Sequence, residues 1–155
     1  EITIERLKKS CSVYSAKQYS NSGFRVLNLS SSHFKPWQNY HGQDPSEVED
    51  LFSQFEDPLR EGWTEAGLTT ETLLTEGFPL DSRIEIDTAY GANRVRRVSS
   101  DFHGYSLLIC LDEKIQGDTI ANLDLGSNDV FICLDRAITD QEKLRLSDKG
   151  LLKTI

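Results

Sequence analysis

Two apolar runs decide the fold: Leu107-Leu108-Ile109-Cys110-Leu111-Asp112 and Val130-Phe131-Ile132-Cys133-Leu134-Asp135. Each has an isoleucine three residues beyond its aspartate, Ile115 and Ile138. Unbroken apolar runs of this kind fit strands buried on both faces, the usual state of a parallel sheet. The segments between such runs are about a dozen residues or more, long enough for a crossover where a hairpin needs only a few. The spacing predicts a helix near Asp118 to Leu125, closed by Gly126, and a second from Asp140 to Lys149. Thr139 and Glu142 form a capping-box pattern for the second, and Gly150 stops it. Leu151 to Ile155 reads as a terminal strand. The last third is therefore β-α-β-α-β, and the likeness of its halves is the likeness of any two βα units.

Working outward, Arg83 to Thr88 alternates, with Ile84 and Ile86 on one face. Tyr90-Gly91-Ala92-Asn93 turns the chain and Arg94 to Val98 returns, which is a hairpin in the same mixed sheet. A helix is predicted from Glu65 to Glu76. Gly77 supplies its left-handed cap, Phe78 folds back on Leu73, and Pro79 blocks extension. Gly67 weakens its first turn by about 1 kcal/mol relative to Ala. Another helix opens at Ser46 with Glu49 and places Val48, Leu51, Phe52 and Phe55 on one face before Asp57-Pro58 ends it. Residues 23–30 alternate as a strand, Ser31 to Asp44 is a polar loop bearing aromatics, and residues 3–9 read as the end of a helix. The fold class is α/β with α+β character: a mixed sheet with an antiparallel hairpin, a C-terminal β-α-β-α-β unit, and two helices in the acidic middle.

The 155 residues fit one domain, with 17 Lys+Arg against 25 Asp+Glu for a net charge of -8. Residues 44–76 hold ten of those acids and a single base, Arg60. Duplex DNA is gripped through Lys and Arg, so this middle segment is a poor DNA-gripping surface and reads as solvated helix faces. No run of 18 apolar residues is present, so no membrane span is expected. Cys11, Cys110 and Cys133 form no CxxC pair, and the last two sit in apolar runs. They read as core thiols in a reducing, cytoplasmic compartment. The chain contains no Met and is read as part of something longer: residues 1–22 as a lead-in helix and linker, residues 23–155 as the α/β domain.

Candidate chemistry is sparse. There is no GxGxxG and no GxxxxGK[ST] loop. His33, His41 and His103 lack metal-ligand spacing, and Ser30-Ser31-Ser32-His33 lacks a nucleophile elbow. His103 reads as a solvated turn histidine. Asp112 and Asp135 end adjacent parallel strands, where ligands often bind, but lead more simply into helix caps. No catalytic, cofactor-binding or metal residue is assigned. Two features are suited to nucleic acid. Arg94, Arg96 and Arg97 are clumped on the returning hairpin strand, and Lys35, Trp37 and Tyr40 interleave charge with rings able to stack a base. The simpler reading makes the arginines the charges that blunt an exposed edge strand and the aromatics a plug on the core.

Gly23-Phe24-Arg25-Val26-Leu27-Asn28-Leu29 and the Ser-rich, Trp-bearing loop after it resemble the GFRVxxLxxSNxxxW stretch of adenine-specific DNA methyltransferases of the type III restriction-modification (Mod) kind. Leu59-Arg60-Glu61-Gly62-Trp63-Thr64-Glu65, then Leu73-Leu74-Thr75-Glu76-Gly77-Phe78-Pro79-Leu80, are similar to the family's KxGRTxxDLLxxLLxxxGxxL segment. Trp63 stands where that pattern more often has Arg. Glu5-Arg6-Leu7-Lys8-Lys9 resembles the helix after the cofactor motif, and the strands at 107–112, 130–135 and 152–155 fall in family order. The resemblance implies a noncatalytic C-terminal domain. Its parent would move a methyl group from S-adenosylmethionine to the exocyclic amine of adenine, using DPPY and FxGxG motifs that this chain lacks. The implied partners are the catalytic domain, a second copy or a restriction subunit, with DNA reached through the parent.

Overall fold

The computed structural model describes residues 2–15, 26–36, 49, 52–53 and 56–155. The chain divides into two units, Glu1–Ser31 and Ser32–Ile155. The first holds helix α1, Ile2–Ser15, longer than the helix end read from residues 3–9. The strand expected over residues 23–30 is corrected where it is described. Residues 26–30 form no ladder, and Val26, Leu27 and Leu29 are exposed. Alternation makes a two-faced ribbon, but a strand exists only when its backbone groups find a partner.

The second unit is built on one five-stranded sheet in the order β1 (Arg83–Ile86), β2 (Val95–Ser99), β3 (Leu107–Cys110), β4 (Val130–Cys133), β5 (Leu151–Thr154). β1, β2 and β3 pair antiparallel, while β3, β4 and β5 pair parallel, with Cys110 opposite Cys133. The hairpin and the β-α-β-α-β unit thus share one mixed sheet, as the apolar runs and crossover lengths predict. Every residue of β3 and β4 is buried. Leu107, Leu108, Ile109, Phe131 and Ile132 form the centre of a core that also takes in Leu68, Leu73, Phe78 and Leu146.

The helices are α2 (Glu65–Thr75), α3 (Gly117–Asn122) and α4 (Asp140–Ser147). The Thr64 hydroxyl accepts from the Gly67 N–H at the start of α2. At its end Gly77 takes φ +82°, and its N–H reaches the Leu74 carbonyl while the Phe78 N–H reaches that of Leu73 (3.1 and 2.9 Å). This is the Schellman closure that Gly-Phe-Pro predicts. The capping box of α4 is present in both halves, Thr139 N–H to Glu142 Oε2 at 2.8 Å and Glu142 N–H to Thr139 Oγ1 at 3.4 Å.

α3 is shorter than the span to Leu125 expected from Gly126. It stops at Asn122 because Leu123 turns extended and is buried. The Lys149 ammonium then donates to the carbonyls of Ile120, Ala121 and Leu123 at 2.9, 2.7 and 3.2 Å, so a neighbouring chain segment satisfies the helix end. The helix predicted from Ser46 lies outside the described residues except for Glu49, Phe52 and Ser53, which are helical. Trp37, Tyr40 and His41 also lie outside them. Among the described residues no helix is long and apolar enough to cross a membrane.

Candidate functional site

The hairpin arginines are placed by the β2 register. β2 is an interior strand, paired on both sides, so the edge-strand reading of Arg94, Arg96 and Arg97 is corrected: β1 takes the edge. Arg96 alternates onto the face where α2 begins and pairs with Glu65, its side chain only 14% exposed. Arg94, just before the strand, approaches the same carboxylate at 3.5 Å. Arg97 points to the other face and pairs with Asp87 at 3.0 Å. Three guanidiniums therefore meet two carboxylates of the same domain, which leaves little net charge for a phosphate. Lys35 follows Phe34, which forms an antiparallel bridge with Leu59, and its Nζ donates to the Asp57 carbonyl at 2.6 Å.

At the C-terminal ends of the parallel strands the carboxylates are also engaged. Asp112 Oδ2 accepts from Asn93 Nδ2 at 2.7 Å and from the Arg94 N–H at 3.0 Å. Asn93 is the hub of this corner. It donates to the Lys114 carbonyl and accepts from the Gln116 N–H and the Thr119 hydroxyl, each at 2.8 Å. Asp135 pairs with Lys143 at 2.9 Å. The hydrogen bond from Lys143, with help from Thr154, holds its carboxyl below the usual range. Arg136 grips Glu113 through two parallel bonds of 2.8 and 3.0 Å and reaches Asp57 at 3.0 Å. The carboxylates at these strand ends, Asp112 and Asp135, are engaged by the domain's own polar groups.

A constellation missed from sequence joins the loop before Phe34 to α2. Glu71 accepts from Ser32 Oγ at 2.5 Å, from the His33 N–H at 2.7 Å and from His33 Nδ1 at 2.9 Å. Burial pushes the Glu71 carboxyl up, but these hydrogen bonds outweigh it and the net displacement is downward. The His33 ring lies so close over α2 that a Cβ at Gly67 would fall 2.3 Å from its Nε2. The glycine that weakens the helix turn is the space the ring occupies. Carboxylate and imidazole are arranged like two members of a triad, yet the Ser32 hydroxyl is committed to the carboxylate and not to the ring. A serine nucleophile needs the base nitrogen on its own oxygen, so this geometry serves to fasten the loop.

The reading of His103 as a solvated turn residue is also corrected. Its ring stacks on Phe78 with centroids 4.0 Å apart and meets Tyr105 edge-on at 5.4 Å. Its Nδ1 is buried, with no hydrogen-bond partner among the described residues. A histidine one position before Gly104 looks like surface; only the arrival of Phe78 from the end of α2 covers it. Cys110 and Cys133 are buried in the sheet, and burial pushes their thiols up to about 11 and about 12. Neither is a nucleophile near neutral pH. Among the described residues no group of three His, Cys, Asp or Glu is placed to hold a metal ion.

No protein-family model matches the chain, and neither a curated protein nor a solved structure matches it.

Proposed function

We propose that this chain is an assembly domain: the noncatalytic C-terminal part of an adenine-specific DNA methyltransferase of the type III restriction-modification kind. The methyl transfer from S-adenosylmethionine would belong to a separate catalytic domain. The family part of this reading rests on the sequence resemblance alone. The assembly part is supported by one feature, a sheet whose central strands β3 and β4 are fully buried while β1 offers an exposed outer strand. The alternative, a nucleic-acid module using Arg94, Arg96, Arg97, Lys35, Trp37 and Tyr40, draws less support because Arg96 and Arg97 are already paired with Glu65 and Asp87, and Arg94 approaches Glu65 as well.

The test is to express the protein together with the sequence encoded upstream of Glu1, with and without residues 56–155. S-adenosylmethionine binding should require the upstream part and survive the deletion, while the mass of the assembly should fall. Heat from S-adenosylmethionine titrated into the isolated 155-residue chain would overturn the reading. DNA binding by the isolated chain that weakens steeply with salt would favour the alternative.

A further inference from the structure

We infer that the β1 edge is a self-pairing site, at which a second copy of this chain adds its own β1 antiparallel to the first and continues the sheet across a two-fold axis. The inference gives the assembly reading a partner and rests on that reading only for its biological role. Its geometry follows from β1 itself.

All four residues of β1 are exposed, and among the described residues β2 alone pairs with it. The Asp87 N–H donates to the Val95 carbonyl across the hairpin at 2.8 Å. Backbone direction alternates along an antiparallel strand, so Arg83 and Glu85 also turn their N–H and C=O groups toward β2. Ile84 and Ile86 turn theirs to the open edge. Such a row of unpaired groups is a template for another strand.

Parity and charge then select the register. Only outward residues can exchange hydrogen bonds, so a two-fold pairing must centre on Arg83, Ile84, Glu85 or Ile86. Centring on Arg83 sets Arg83 against itself, and centring on Glu85 sets Glu85 against itself. Centring on Ile86 sets Glu85 against Asp87 of the second copy. Centring on Ile84 sets Arg83 against Glu85 of the second copy twice over with no like pair inside β1; its like pair, Asp81 against Asp87, falls beyond the strand ends. The two Arg83–Glu85 pairs fall at the non-hydrogen-bonded positions, where side chains approach most closely. Ile84 meets Ile84 of the second copy at the axis, and Ile86 arrives opposite Ser82. Ile84 and Ile86, now 42% and 58% exposed, would be covered. Phe102, 81% exposed, shares a cleft with Ser82 beside the arriving isoleucine. Self-pairing thus gives both the apolar and the charged residues of this strand a partner, by an isologous contact that closes at two copies.

Sedimentation equilibrium of the whole chain at micromolar concentration tests this. The wild type should weigh two copies. Ile84→Pro removes an outward N–H without touching the β2 ladder and should weaken the dimer about tenfold or more. Arg83→Glu should do the same by setting like charges together. The double exchange Arg83→Glu with Glu85→Arg should restore the wild-type association, and all variants should keep the wild-type circular dichroism. A wild type of one-copy mass, or dimers indifferent to both single changes, would overturn the inference. So would a folded double exchange that fails to restore pairing. None of these results touches the cofactor and deletion experiment above, so edge pairing and assembly reading fail separately.

Discussion

The centre of the sheet and its β1 edge obey opposite rules. β3 and β4 are buried along their whole length, whereas β1, two strands away from β3, is exposed along all of its own. Both carry isoleucine, yet Ile109 and Ile132 lie in the core while Ile84 and Ile86 face solvent. Hydrophobic residues are drawn inside only where something covers them. β3 and β4 are covered because they lie inside the sheet and crossovers lay helices on a parallel sheet. A hairpin needs no crossover, so its outer strand arrives without a cover.

That contrast can be broken most severely through the thiols. Cys110 and Cys133 should react with a thiol reagent at least about a thousandfold more slowly than half-buried Cys11, because reaction waits on unfolding. Mass spectrometry of labelled peptides reads this directly, and equal rates would mean that the core opens locally. Phe131→Ala in β4 should cost about 3–5 kcal/mol in a denaturant titration. The clasp between these extremes has a pH signature. Glu71 is displaced downward from its ordinary value of 4.5, so the folded state binds its proton more weakly than the unfolded chain. The stability it contributes is present above pH 4.5 and is lost as pH falls through its lower folded value. Glu71→Gln should flatten that part of the pH–stability curve and cost about 1–3 kcal/mol at neutral pH, since it weakens hydrogen bonds to a charged acceptor. Smallest of all, Ile86→Thr on β1 should change the stability of the single copy by no more than about 0.5 kcal/mol. A larger loss in thermal unfolding at low concentration would show that the edge is covered within one chain.

Much of the architecture was legible because it is written in local signals. Two continuous apolar runs with crossover-length connections define the parallel strands, and Thr139 with Glu142 and Gly77 with Phe78 mark helix ends through bonds spanning a few residues. The sites were less legible. The hairpin arginines looked like a free basic patch because Glu65 lies 31 residues from Arg96 in the chain. His33 and Glu71 are separated by 38 residues, and the one trace of their meeting is Gly67, a glycine inside a helix. The alternation at residues 26–30 overstated the case, since periodicity describes one chain segment and a ladder requires two.

The amino-acid order by itself determined the five strands of the sheet, the helices α2 and α4 with their caps, and which thiols are apolar in their surroundings. These follow from backbone sterics, hydrogen bonds between near neighbours and the burial of contiguous apolar residues. Only the tertiary structure decided that β2 is interior and β1 is the edge, that the arginines are already paired, and that His103 is covered by Phe78. Each depends on the meeting of residues distant along the chain, and no local pattern encodes which surface a distant segment will reach.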